Sequence, residues 1–153
     1  MKNSRNPNMV DQAAATNKEL VRTFYQRVFV NWDLALVEQV VHPQFLSHDW
    51  AADSATGPQG FLDFYAGVRS SFPDTHYEVD DLIAEGDRVV VRWRLLGTHQ
   101  GEFYGIPPTG GSITLDGIAI YRVANGMLME RWVVYDLQGL IQQVRARAAN
   151  SQS

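Results

Sequence analysis

The sequence contains no cysteine, and this absence excludes disulfide bonds, thiol nucleophiles and thiolate metal sites. It has no apolar run that approaches the ~20 residues needed to span a membrane. The first residues, MKNSRNPNMVDQAA, also lack the apolar stretch of a secretory signal. Together these absences predict a cytoplasmic protein that does not bind membranes.

Clustered positive charge is scarce as well. The chain has 13 lysines and arginines against 17 acidic residues, and its cations are scattered apart from Arg145 and Arg147. Such a distribution lacks the basic patch on which a nucleic-acid partner depends. With 45% hydrophobic and 20% charged residues, the 153-residue chain is typical of a globular protein. We expect a single domain at 15–147, between a flexible polar tail at 1–14 and another at 148–153.

Helical periodicity predicts three helices in the first half of the chain. Thr16 and Glu19 have the spacing of a capping box, and apolar residues at helical spacing follow them. Asp33 is the expected N-cap of a short second helix. Pro58 suits the first turn of a third. The expected helices run from about 16 to 28, from 33 to 42 and from 58 to 72.

The second half of the chain is strand-like. Alternating apolar residues predict four strands, and turn sequences at Gly86 and at Asn125-Gly126 predict two hairpins. Long strands coil, so the early helices should cover the concave face of the sheet and leave an apolar pocket beneath them. The expected strands span 76–84, 88–98, 112–123 and 127–136, and a helix at 137–144 should close the α+β domain.

Side-chain alternation in the last hairpin predicts which residues face the pocket. Ile118 and Ile120 should share the inward face with Trp132 and Val134, and Asp136 continues that face. The opposite face should carry Arg131, Val133 and Tyr135. A slip of one residue in the hairpin register would exchange the two faces.

Asp136 is the first candidate for chemistry. A carboxylate at the end of an aromatic-lined strand can lose solvent, which makes it a usable general base. The same residue precedes Leu137-Gln138-Gly139-Leu140 and could instead cap that helix. Nearby, Glu130 is expected to form a structural ion pair with Arg122 or a neighbouring arginine. From the sequence alone, catalysis and capping by Asp136 are both open.

The four histidines offer proton carriers and no metal site. They are not close enough in sequence to suggest a metal centre, so no metal is expected. His48 follows the second helix. His99 falls on the inward side of its strand, by alternation from Trp93 and Leu95. Each could donate a hydrogen bond in the pocket or hold a loop by a structural hydrogen bond.

An ordered set of motifs resembles the SnoaL-like polyketide cyclases, a family of NTF2-like proteins. The similarity covers roughly residues 17 to 144, and the ordered set is more specific than any of its pieces. The motifs are Gly57-Pro58 with Gly60-Phe61, Ser71-Phe72-Pro73-Asp74, Gly97-Thr98-His99-Gln100-Gly101, Gly105-Ile106-Pro107-Pro108-Thr109-Gly110, Ile118-Ala119-Ile120-Tyr121-Arg122, Glu130-Arg131-Trp132-Val133-Val134-Tyr135-Asp136 and Gly139-Leu140-Ile141-Gln142-Gln143.

The resemblance implies a cone-shaped α+β barrel, commonly a homodimer or larger homo-oligomer, with a deep cavity for an apolar or aromatic small molecule. It also implies a cyclase that closes a ring of a polyketide ester by aldol addition, without cofactor. Asp136 would be the base, and His99 with His48 would stabilise the enolate. The expected substrate-binding residues are Tyr25, Phe61, Phe64, Trp93, Ile118 and Trp132.

This chain departs from the family pattern at one position, and two other functions of the same fold are alternatives to the cyclase. Many relatives carry an acidic residue directly after the tryptophan, where this chain has Val133, expected to face away from the pocket. A non-catalytic module that holds an apolar molecule, or serves a stress response, would use the same cavity. An epoxide hydrolase of this fold would resemble its relatives in an Arg-x-Asp pair, but here the strand reads Arg92-Trp93-Arg94.

Overall fold

The computed structural model describes residues 7–150, which form an α+β domain with a curved five-stranded sheet covered by helices. None of the helices in this part of the chain is both long and apolar enough to cross a membrane. The elements are, in chain order, α1 (Pro7–Phe24), a π-helical segment (Tyr25–Val30), α2 (Leu34–Val40), β1 (Val41–Ser47), α3 (Gly57–Ser71), β2 (His76–Glu85), β3 (Arg88–Thr98), β4 (Ser112–Ala124), β5 (Met127–Tyr135) and α4 (Leu137–Asn150).

The sheet has the strand order β1-β5-β4-β3-β2. The four later strands form an antiparallel meander, and β1 pairs with β5 in parallel at the edge. The predicted third helix, the four later strands and the closing helix are confirmed. Long strands twist and coil, which gives the sheet a concave face for the helices to cover.

The amino-terminal helix differs from the prediction. It begins at Pro7, so residues 7–14, expected in a tail, are helical, whereas 1–6 lie outside the described residues. The capping prediction for Thr16 is wrong, because Thr16 lies inside α1 and its hydroxyl donates to the Gln12 carbonyl at 2.9 Å. Three alanines in a row, 13–15, favour the extra turns. At the other end, α4 continues to Asn150, beyond the expected boundary at 147.

The segment around Asp33 also differs from the prediction. Asp33 does precede α2, but its carboxylate makes no cap and accepts a hydrogen bond from Arg27 Nε at 2.9 Å. The following residues form β1, which the sequence did not suggest because it contains Pro43. Proline is tolerated in an edge strand, where one side of the backbone needs no partner.

The predicted faces of the last hairpin are exchanged in the structure. Along β4, Leu115, Gly117 and Ala119 are buried, while Ile118 is 49% exposed. Gly117 lies under the ring of Trp93, and a Cβ at this position would overlap that ring. The inward face therefore carries small residues that make room for an aromatic side chain. Ile118 and Ile120 do share a face with Trp132 and Val134, but alternation does not show which of the two faces is inward.

Candidate active site

A cavity of about 400 Å³ lies between the concave face of the sheet and the helices. This volume is in the range of pockets that hold small molecules. Its wall is largely aromatic and aliphatic, with Asp49, Glu102 and Arg131 as the charged residues in the lining. The lining residues are Tyr25, Asp49, Phe64, Tyr65, Gly67, Val68, Ser71, Phe72, Tyr77, Trp93, Leu95, Glu102, Phe103, Tyr104, Leu115, Arg131, Val133, Tyr135, Leu137 and Leu140.

Arg131 is a buried cation on the cavity wall. Its side chain is 3% exposed, and its Nε donates to the Ser47 hydroxyl at 2.8 Å. Nη1 donates to the Tyr65 hydroxyl at 3.0 Å, and Nη2 lies 3.5 Å from Asp49 Oδ1. An arginine stays charged in a protein, so this site holds a permanent positive charge within an apolar enclosure.

Asp49 supplies the matching negative charge. Its side chain is 11% exposed, and its Oδ1 accepts a hydrogen bond from the Ser47 hydroxyl besides facing Arg131. Its Oδ2 is buried and has no hydrogen-bond partner among residues 7–150. Buried polar atoms are rarely left unpaired. One carboxylate oxygen is therefore held by protein groups, while the other is buried without a partner among the described residues.

Tyrosine hydroxyl groups surround this pair. Burial raises the pKa of Tyr65 to about 12, and burial also raises the pKa of Tyr25 and Tyr77 well above the usual value. The Tyr25 hydroxyl lies 3.3 Å from that of Tyr121. These phenols are neutral at pH 7, so they can donate hydrogen bonds to an oxygen that develops negative charge.

Asp136 lies away from the cavity. The residue is exposed, and its Oδ1 accepts a hydrogen bond from the Gly139 backbone N–H at 2.8 Å. This is the geometry of an N-cap on α4. Of the two uses that the sequence left open, the structure shows the cap, and it does not bring Asp136 to the cavity wall.

His48 also lies outside the cavity, on the opposite face of the sheet. Its Nε2 is 2.7 Å from Glu130 Oε1, and its ring stacks on Trp132 with centroids 4.9 Å apart. Glu130 accepts from Arg122 Nε at 2.9 Å, which confirms the expected pair. The hydrogen bond from His48 and then that from Arg122 lower the pKa of Glu130.

His99 is fully buried behind the cavity wall. Its Nδ1 accepts the backbone N–H of Thr109 at 3.2 Å, and its ring packs against Phe72 and Phe103, which do line the cavity. Its Nε2 has no hydrogen-bond partner in the described part of the chain. The structural hydrogen bond to a loop, one of the two expected uses, is the one observed.

The other predicted binding residues fall into three places. Tyr25, Phe64 and Trp93 line the cavity, whereas Phe61 is buried in the aromatic core beside it. Ile118 and Trp132 lie on the outer face of the sheet. Their prediction as inward-facing residues is wrong, because the two faces of the last hairpin are exchanged.

Val133 was expected to face away from the pocket, but it lines the cavity. The position at which many relatives carry an acid therefore faces the cavity and is apolar in this chain. Asp49 brings a carboxylate to the same cavity from the loop after β1.

Sequence reasoning missed Asp49 and Arg131. Parity assigned Arg131 to the outside, and β1, which positions Asp49, was not expected. The parallel register of β1 on β5 sets Ser47 opposite Arg131. The signal that could have found the pair is an arginine that shares its strand face with Val133 and Tyr135, since a cation among such residues must have a partner.

The concave sheet, its helical cover and an aromatic cavity with a buried charged pair on its wall define the class of protein as an α+β domain that encloses a cavity. The family model of the SnoaL-like polyketide cyclases matches residues 19–144. The chain therefore belongs to the SnoaL-like polyketide cyclase family.

Similar proteins support this assignment. The chain is 26% identical over 110 residues to the nogalonic acid methyl ester cyclase of Streptomyces nogalater, a match that covers 71% of this chain and 82% of that protein. Wild-type IdmH of Streptomyces antibioticus has a TM-score of 0.74 at 26% identity over 84% of this chain and 98% of its own. AclR, a suggested hydroxylase of Streptomyces galilaeus, has a TM-score of 0.74 at 29% identity over 87% of this chain and 98% of its own.

Proposed function

We propose that this protein is a cyclase that closes a ring in a polyketide-type ester by intramolecular aldol addition, with Asp49 as the general base. The observation that carries the proposal is the buried Asp49–Arg131 pair on the wall of an aromatic cavity, in which Asp49 Oδ2 has no hydrogen-bond partner among residues 7–150. The name of the similar Streptomyces nogalater protein, an ester cyclase, supports the choice of reaction.

The reaction begins with a proton transfer. Asp49 Oδ2 takes a proton from the carbon beside the ester carbonyl, and the electron pair of the broken C–H bond moves into an enolate. The enolate carbon then attacks a second carbonyl of the same molecule, which forms the new C–C bond and leaves an alkoxide. The proton held by Asp49 returns to that alkoxide, so the addition is redox-neutral and regenerates the carboxylate.

Arg131 and the neighbouring phenols stabilise the enolate oxygen. A fixed guanidinium and neutral hydroxyl donors already oriented in a dry cavity need no reorganisation as charge develops. Ser47 and Arg131 hold Asp49 Oδ1, so Oδ2 is the oxygen that would accept the proton. The largely apolar walls lower the local dielectric constant, which strengthens each of these interactions.

The test uses nogalonic acid methyl ester, the compound in the relative's name. Wild-type protein should convert it to a ring-closed isomer of equal mass, resolved by chromatography. In D₂O the protein should also exchange the hydrogen beside the ester, which reports proton abstraction separately from ring closure.

Asp49→Asn is the matched control, because asparagine keeps the shape and the contacts to Ser47 and Arg131 but cannot accept the proton. It should bind the ester without exchange or closure. If wild type binds the ester but neither exchanges the hydrogen nor closes the ring, the protein is a binding module and the proposal is wrong.

A further inference from the structure

The mouth of the cavity carries an exposed aromatic ring on a tight turn. Tyr104 is 63% exposed, yet it is one of the residues that line the cavity. An exposed tyrosine presents a broad flat surface to a ligand, with a polar hydroxyl at its end. Its ring contacts Phe103 edge to face at a centroid distance of 4.8 Å.

The backbone at Tyr104 adopts a conformation that tyrosine disfavours. Its φ angle is +49°, and Gly105 follows with +76°. Phe103 and Ile106 exchange backbone hydrogen bonds of 3.0 Å in both directions across these two residues. Two positive φ angles in a two-residue turn normally select asparagine or aspartate before the glycine. A bulky residue there is an outlier, and such outliers concentrate at functional sites.

The turn is anchored firmly to the body of the domain. The Ser71 hydroxyl donates to the Glu102 carbonyl at 2.7 Å, and the backbone N–H groups of Gln100 and Gly101 donate to the Ser71 carbonyl at 3.0 Å. Gly101 packs so closely on Ser70 that a Cβ would overlap its carbonyl oxygen. Tyr104 is therefore held in place at the rim of the cavity by a rigid support.

We propose that Tyr104 is a specificity-determining residue that stacks on the part of a flat, multi-ring substrate projecting from the cavity. The reacting end of such a substrate would lie inside with Asp49 and Arg131, and its distal ring would rest on Tyr104 at the mouth. The proposal deepens the proposed function by naming the residue that recognises the part of the substrate outside the cavity, and it rests on that function.

The test measures binding and needs no turnover. Quinizarin, an unreactive three-ring anthraquinone, and methyl salicylate, a one-ring ester, are titrated into wild type, Tyr104→Asn and Tyr104→Phe, with tryptophan fluorescence as the signal. Asparagine suits the turn, so Tyr104→Asn removes the ring and keeps the backbone. Tyr104→Asn should weaken quinizarin binding about tenfold, the scale of one aromatic contact. Tyr104→Phe should retain it, and methyl salicylate should bind all three proteins alike.

Two results would overturn the proposal. Either Tyr104→Asn binds quinizarin as tightly as wild type, or it loses both ligands in equal measure. Failure of wild type to bind quinizarin would also contradict it. These outcomes are separate from the proposed reaction, since deuterium exchange and ring closure of nogalonic acid methyl ester are measured on the wild type without reference to Tyr104.

Discussion

Asp49 Oδ1 lies 3.5 Å from Arg131 Nη2, although 82 positions separate the two residues in the sequence. The contact depends on the parallel pairing of β1 with β5, in which Ser47 lies opposite Arg131 and the His48 N–H donates to the Arg131 carbonyl at 2.9 Å. The chain then turns inward, and Asp49 reaches the cavity. The contact between Asp49 and Arg131 therefore depends on the pairing of a single edge strand, β1.

The first prediction concerns the coupling of this pair. Arg131→Met should lower the free energy of unfolding by about 3–5 kcal/mol, because it leaves the Asp49 carboxylate buried without its partner. Adding Asp49→Asn to Arg131→Met should recover part of that loss, since no charge then remains to be buried. Urea denaturation of the wild type, both single variants and the double variant measures the coupling. Purely additive losses would show that the two side chains do not interact.

The second prediction concerns the cap of α4. Asp136→Ala should lower the free energy of unfolding by about 1 kcal/mol, because the Gly139 N–H loses its acceptor. Asp136→Asn should remain near the wild type, since asparagine also caps. Thermal melting of the two variants distinguishes them. Equal stability of the alanine variant and the wild type would argue against capping.

The third prediction concerns packing at the cavity wall. Gly117→Ala should destabilise the protein by about 1–3 kcal/mol, because the added methyl group must displace the ring of Trp93. Gly67→Ala in α3 is the matched control, because a Cβ there meets nothing within 4 Å. Alanine should stabilise the helix at that position by about 0.5–1 kcal/mol. A melting temperature of Gly117→Ala at or above that of the wild type would contradict the packing.

The fourth prediction is a pH dependence that arises at Glu130. Hydrogen bonds from His48 and Arg122 lower its pKa in the folded state. Its contribution to stability is therefore full above the ordinary carboxyl pKa of about 4.3 and is lost as the pH falls through the lowered folded value. Glu130→Gln should melt at a lower temperature than the wild type at pH 7, and the gap should close on acidification below about pH 4. Glu38→Gln, on the surface of α2, is the control; a gap that persists unchanged at pH 3 would contradict the argument.

The sequence predicted much of the fold because local signals mark it. Pro58 and the Phe72-Pro73 stop delimit α3, and Asn125-Gly126 marks the last hairpin. The β1 strand was not predicted, because its pairing partner β5 lies far along the chain and because β1 contains Pro43.

The site was harder to predict than the fold. Its faces depend on a strict alternation, so one error of parity misplaced both Ile118 and Arg131. Asp49 could not be found from local pattern, because its place in the cavity depends on the parallel register of β1 rather than on any motif.

The role of Asp49 as general base is tested by comparing kcat for Asp49→Asn and Asp136→Asn with nogalonic acid methyl ester, after equal folding of both has been established by thermal melting. If Asp49 is the general base, Asp49→Asn should lose at least about 10²-fold in kcat, while Asp136→Asn should stay close to the wild type. Loss of turnover in Asp136→Asn with retention in Asp49→Asn would contradict that role.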